Sequence, residues 1–489
     1  MSKSCRPVLL YLLVLLAITQ FFGNSAAQDL IATVRIEPGS PSIAVVEGKY
    51  QTASGHRQLQ FLTGYASVSK LDQRISGVKL TDGNGKPINA HLAGPGRYIA
   101  ESDFTFWSYR ADISPLQDRF ASAHLTWSTS NAAVIMLGDL LPQGHRSSLI
   151  TLEIPDGWAI STNERSLKKN YFEVADVEKA VFHAGRAIRS RTIRSAGADI
   201  ELSLTGEWHF SDDEALQMAD SIFANYSELF GGLPAQRVHI AVRPFPNAVP
   251  LGQWEGGSRG ANITIVSSAM PFKSQSLQRL HEQLRHEIFH LWIPNGVNLT
   301  GNYDWFYEGF ALYQSLKTGV AVNRLRFDDL LDTISRAYDI DASRADNGSL
   351  IDASKARWNG SNTQVYARGI MIAFACDLTM LRASRGKRSI SDVLRKVFDR
   401  HRASPPQNAN VAILEILRLH TELRPIADSS IANSRPIDWP DLLRSGGLEM
   451  YTRDQLVRIK VVDGPSGRQR EVLDRLGYNN WRNLPRTDK

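Results

Sequence analysis

The sequence predicts a multidomain chain, β first and then mainly α, and three observations predict it. From residue 28 to about 205, short segments such as I-A-T-V-R-I-E, F-T-F-W-S-Y-R, A-H-L-T-W-S and L-I-T-L-E-I-P alternate apolar with polar residues and are separated by Gly, Pro, Asn and Asp. At Ser211 the run S-D-D-E forms a capping box, and apolar spacings of three and four take over. Beyond it, a short pattern of His and Glu sits on a helical stretch. The expectation is an N-terminal all-β, sandwich-like domain at 28–205, a helix-rich α+β domain at 206–455 and a C-terminal tail at 456–489.

The chain opens with Lys3 and Arg6, an apolar run from Val8 to Ile18, and S-A-A ending at Ala27. That is the layout of a signal peptide at 1–27, too short and too soon polar for a spanning anchor. No later segment is apolar for long enough to cross a bilayer. Cleavage removes Cys5 and leaves Cys376 alone, so no internal disulfide is expected. Export without disulfides fits a secreted protein of a bacterial periplasm or medium. Cleavage also takes the formal charge from +6 to +4, a mild balance. The densest basic stretch, G-R-A-I-R-S-R-T-I-R-S at 185–195, reads as an exposed strand face, and nothing else recommends nucleic acid.

Within the β region, V-K-L-T-D-G-N-G-K-P-I-N-A-H-L carries the clearest hairpin signal. The helix launched at Ser211 is expected to stop at Gly231-Gly232. Leu277, Leu280, Leu284, Ile288 and Leu291 then mark an apolar helical stripe, from which His286 and His290 point away in L-R-H-E-I-F-H-L-W. Residues four apart share a helix face, so the two imidazoles can grip one zinc ion while Glu287, a step round the helix, serves a water as general base. Residue frequencies give this pattern by chance in about one chain in a hundred.

A catalytic zinc needs a third protein ligand and an open position. Ile293 and Gly296 stand where a metzincin has Gly and His, which excludes that class. Glu308, in N-Y-D-W-F-Y-E-G-F-A-L-Y, is the candidate. Asn302 is expected to cap its helix and Gly319 to stop it, and Asp304, one turn earlier, to orient a ligating histidine. Later, S-I-S-D-V-L-R-K-V-F-D-R and N-A-N-V-A-I-L-E-I-L-R-L read as helices around the break R-A-S-P-P-Q-N, and R-E-V-L-D-R-L-G as a helix in the tail.

The blocks H-E-I-F-H-L-W and W-F-Y-E-G-F-A resemble the gluzincin metallopeptidases, particularly the aminopeptidase-N and glycyl-aminopeptidase families. Residues 225–242, with F-G-G-L-P, are similar to the opening of their thermolysin-like catalytic domain. Residues 365–382 resemble their Tyr-x-Lys-Gly helix. The resemblance implies zinc peptidase activity on a peptide or protein substrate, with Tyr366 donating to the oxyanion that forms when water attacks the peptide carbonyl. By itself, Tyr366 reads equally as a packing residue that opens an apolar helix.

Two departures stand out. Seventeen residues rather than eighteen separate His290 from Glu308, and the Gly-Ala-Met-Glu-Asn signature that reads a substrate's free amine is missing. Gly260 falls where its glutamate would align, with Glu255 nearby but off register. The strand from Ala261 to Ser268 can still bind a peptide by edge pairing. Other functions open to the same residues are an envelope binding protein with a structural or degenerate zinc site, and a non-peptide hydrolase on the same fold.

Overall fold

The computed structural model describes residues 30–51, 55–118, 120–343 and 348–480; the expected leader at 1–27 lies outside the described residues. The first unit is β-rich. Leu30–Glu37 pairs antiparallel with Ile43–Tyr50 and parallel with Ser148–Glu153 at the centre of an eight-stranded sheet. The expected hairpin is its edge, with Leu80 opposite Ile88. A four-stranded sheet containing Ala132–Met136 and Val181–Gly185 shares the core, where Val34, Val46 and Ile150 meet Ile135 and Phe182. This is the sandwich-like arrangement that alternation of apolar residues requires.

The second unit is built on a five-stranded sheet. Its elements are β1 (Arg189–Ser195), β2 (Ala198–Leu204), α1 (Asp212–Phe230), β3 (Arg237–Pro244), β4 (Trp254–Arg259), β5 (Asn262–Ser267), α2 (Lys273–Phe289), α3 (Asp304–Ala321), α4 (Phe327–Ala342) and α5 (Asn362–Ser384). The strand order is β1-β2-β3-β5-β4, with β2, β3 and β5 parallel and the outer strands antiparallel to them. Ser211 caps α1 through a capping box with Glu214, and Gly231, at φ 72°, ends it.

Several expectations need correction. The boundary at 205 falls after β1 and β2, yet both belong to the second sheet; Ile200, Leu202 and Leu204 pack with its helices. Alternation says which side of a strand is buried but not which sheet it joins. The strand near Ala261–Ser268 lies inside the sheet as β5, and the free edge is β4. Asn302 does not cap α3. Tyr303 is the cap residue, and the Trp305 amide donates to Ser354 Oγ at 2.8 Å instead. Nor does Gly319 end α3, which runs on to Ala321; its missing side chain makes room for Arg285, whose Nη1 would lie 1.9 Å from a Cβ there.

Three of the four arginines of the basic stretch pair with acids: Arg189 with Asp212, Arg191 with Asp213 and Arg194 with Asp199. The later helices appear as Ile390–His401 and Ala409–Arg418. The limit drawn at 456 cuts the hairpin Leu448–Arg453/Leu456–Val461, whose Ile459 amide donates to Ser335 Oγ on α4, so this segment packs as part of the second unit. The tail helix spans Gly467–Leu476. Cys376 is buried as a free thiol, and no helix among the described residues is long and apolar enough to cross a membrane.

The two units meet across a buried polar layer. The face of the second sheet turned away from its helices carries Glu201, Ser203, His239, Arg243 and Thr264. Arg243 donates to the Ala133 and Ala184 carbonyls at 2.7 and 3.1 Å, and lies 3.2 Å from His183 Nδ1. His239 Nε2 lies 2.7 Å from Ser161 Oγ. Because these groups leave water they need hydrogen-bond partners, and Ser161, His183, Ala133 and Ala184 supply them from the opposite unit, which fixes how the units dock.

Candidate metal centre

A cleft of about 890 Å³ opens between the units, and His286, Glu287, His290, Glu308 and Tyr366 line it. The stripe of α2 is buried in the core, with Leu284 and Ile288 fully covered, and this turns His286 and Glu287 in its last turn to the cleft. His290 follows as the C-cap residue in helical conformation. The negative end of the helix dipole therefore faces this point and favours a cation.

Three ring and carboxylate atoms converge there. His286 Nε2 lies 3.2 Å from His290 Nε2, and Glu308 Oε2 lies 3.3 and 3.6 Å from the two. His290 Nδ1 is 3.1 Å from the Ile293 carbonyl, so it carries the proton and leaves Nε2 a lone pair. Glu308 Oε2 is buried without a hydrogen-bond partner among the described residues. Lone pairs packed so closely repel unless a cation lies between them. Tetrahedral ligands at the usual zinc distances stand about 3.3–3.4 Å apart, close to the observed spacings. The residues fit a divalent ion such as zinc, and His286, His290 and Glu308 are the group that could hold it.

Glu287 lies against β4, where a Cβ on Gly256 would stand 2.1 Å from its Oε1. Burial raises its pKa above the usual carboxylate range; the two imidazoles oppose this and Glu308 adds to it. Burial also works to raise Glu308, but Arg357 and the two histidines outweigh it and hold that carboxyl well below its ordinary value. Burial, followed by the charge of Glu308, pushes the Tyr366 phenol well up, so it keeps its proton.

Tyr366 reaches the site because α3 and α5 cross with backbone on backbone. A Cβ on Gly309 would stand 2.4 Å from Gly369 Cα, and no side chain separates the helices there. Glu308 precedes one glycine and Tyr366 sits a turn before the other.

Asp304 does not orient a histidine. Its Oδ1 accepts from Tyr307 Oη at 2.5 Å and from Arg357 Nη1 at 2.6 Å. Arg357 escaped the sequence reading, since a lone arginine in a turn carries no local signal. His124, on the first unit's short helix Ala121–His124, also escaped it and also lines the cleft. Its Nδ1 meets the Phe120 carbonyl at 2.8 Å, and burial lowers its pKa to about 4, leaving a neutral ring. Glu255 is tied to the same helix, accepting from the Phe120 and Ala123 amides at 2.9 and 3.3 Å.

No family model matches the sequence, and no curated protein matches it. Solved structures do resemble it. An aminopeptidase N family protein from Idiomarina loihiensis superposes with a TM-score of 0.73 at 14% identity, over 86% of this chain and 79% of that one. A mutant of the M1 zinc metallopeptidase of Deinococcus radiodurans, bound to a Tyr-Ser-Ala substrate, is similar with a TM-score of 0.53 at 14% identity, over 84% of this chain and 94% of its own. The fold is thus that of the M1 zinc metallopeptidases, a β-rich domain followed by a helical one. Within that class the likeness reaches an aminopeptidase N family protein, in line with the resemblance read from the sequence.

Proposed function

We propose that this chain is a secreted zinc-dependent metallopeptidase that hydrolyses peptide bonds with one zinc ion held by His286, His290 and Glu308. The observation that carries the reading is the triangle of donor atoms, 3.2, 3.3 and 3.6 Å on its sides, with the Glu308 oxygen otherwise unpaired. Zinc in such a site supplies Lewis acidity to a water and to a carbonyl oxygen. Glu287 takes the water proton and passes it to the leaving amine, a task that its raised pKa suits. Tyr366 keeps its proton and donates a hydrogen bond where negative charge develops on the carbonyl oxygen.

A peptide strand can lie along the free edge of β4, whose Trp254 and Gly256 line the cleft. Glu255 is engaged by two backbone amides, which favours substrates recognised along the chain over capture of a free amino terminus by that carboxylate. A non-peptide hydrolase would use the same groups; a structural zinc site would close its fourth position with another ligand.

The test combines metal analysis with product mapping. The purified protein should contain one zinc per chain and cleave a peptide mixture in a chelator-sensitive way. Mass spectrometry of products from free and amino-acetylated peptides separates the modes: loss of cleavage on acetylation identifies an aminopeptidase. Bound zinc with no turnover of any peptide defeats the peptidase reading.

A further inference from the structure

Arg357 stands at the back of the metal centre, 8% exposed, and its guanidinium donates four hydrogen bonds to the oxygens around it. Nε donates to Asn362 Oδ1 at 3.0 Å. Nη1 donates to Asp304 Oδ1 at 2.6 Å and to Tyr307 Oη at 3.3 Å. Nη2 donates to Tyr366 Oη at 2.8 Å and lies 3.0 Å from Glu308 Oε1. A guanidinium carries five N–H hydrogens: four are used in these bonds, and the fifth is on Nη2, the nitrogen that pairs with Glu308. Its plane also packs over Trp358, 4.4 Å from the ring centroid.

Two consequences follow from the donor pattern. Glu308 Oε1 is engaged by Arg357, so Oε2 alone faces the imidazoles and the carboxylate offers a metal one oxygen rather than two. Tyr366 Oη already accepts a bond from a group that cannot accept one in return. Its own O–H is therefore left to donate elsewhere, to the Glu308 carboxylate beside it or to an oxygen brought into the cleft.

We propose that Arg357 is the positioning residue of this site: one guanidinium fixes the single-oxygen presentation of Glu308 and holds the Tyr366 oxygen where its O–H can turn from Glu308 to the reacting carbonyl. The inference rests on the zinc peptidase reading. It extends that reading to a residue that acts through a metal ligand and the tyrosine.

The test uses the full-length protein loaded with cobalt as well as zinc, in the variants Arg357→Lys, Asn362→Ala and Tyr366→Phe and in combinations with the last. Lysine cannot hold both oxygens in a planar fork. Arg357→Lys should shift the visible bands of bound cobalt and weaken metal binding by about 10- to 100-fold, the usual loss for a partner of a metal ligand. It should also lower kcat by about 100-fold with KM within about threefold, and do so less when Tyr366 is already phenylalanine. If Arg357→Lys does not fold, Asn362→Ala carries the test, since it loosens the guanidinium while leaving both carboxylates paired. It should lower kcat about threefold with Tyr366 present and not at all with phenylalanine there.

Cobalt spectra and kcat matching the wild type in both variants overturn the proposal, as do equal losses in the two Tyr366 backgrounds. If the wild type binds cobalt and cleaves peptides in those cases, the positioning role alone has failed. A wild type that takes up no metal defeats the underlying reading and this one together.

Discussion

Gly309 and Gly369 touch backbone to backbone, and a Cβ on the first would stand 2.4 Å from the Cα of the second. This contact sets how near the helix carrying Glu308 lies to the helix carrying Tyr366. Replacing Gly369 with Ala should force the helices apart and destabilise the fold by about 1–3 kcal/mol, as overpacking does. Urea denaturation reads the loss, and activity should fall further than stability alone accounts for. A Gly369→Ala protein as stable and as active as the parent would show that the crossing has slack.

At the opposite wall, a Cβ on Gly256 would meet Glu287 Oε1 at 2.1 Å. Gly256→Ala should therefore push the carboxylate from its place while leaving the two imidazoles and Glu308 untouched. The expected outcome is unchanged zinc content with hydrolysis reduced by about 10-fold or more. Equal loss of metal and activity would argue that the strand, rather than the base, had moved.

Glu287→Gln keeps the shape of the side chain and removes its ability to take a proton. Metal content should stay near one per chain, and kcat should fall by about 100- to 10,000-fold, the range for general acid–base groups. Full peptidase activity in this variant would remove Glu287 from the reaction.

The layer between the two units should respond to acid. Burial, with Arg243 and Arg237 adding to it, depresses His239 from 6.5 to about 3; burial, then Arg243 and His239, lowers His183 well below its ordinary value. A depressed histidine means that the unfolded chain takes up its proton first as pH falls. The stabilisation is therefore complete above about pH 6.5 and drains away as pH falls toward the folded-state values. Each group should contribute a slope of about 1.4 kcal/mol per pH unit between roughly pH 6 and 4. Urea titrations at pH 7.5, 6, 5 and 4.5 measure it, and a flat profile would refute the neutral, buried assignment.

The parts of the site legible in the sequence were those governed by local periodicity. His286, Glu287 and His290 are rare residue types at a spacing that one helix turn makes meaningful, and Glu308 follows in a second amphipathic helix. The strands were legible for the same reason, yet β1 and β2 joined a different sheet from the one expected, because alternation does not encode a partner. Arg357 and His124 were hidden because their roles arise only from tertiary contact: one lies in a turn between helices, the other on a four-residue helix of the other unit. Gly309 and Gly369 each look like an ordinary weak point in a helix. Their meaning appears only when the two helices cross. Asp304 was expected to serve a histidine because it lies one turn from Glu308, but a turn of helix fixes proximity and not the identity of the partner.

The short helix Ala121–His124 belongs to the β-rich unit yet furnishes part of the cleft's lining. A fragment starting near residue 186 would retain all three candidate metal ligands and both neighbouring groups, but its cleft would lack a wall. The amino-terminal unit is therefore a component of the cleft, and grafting a foreign β domain in its place would alter which molecules fit inside.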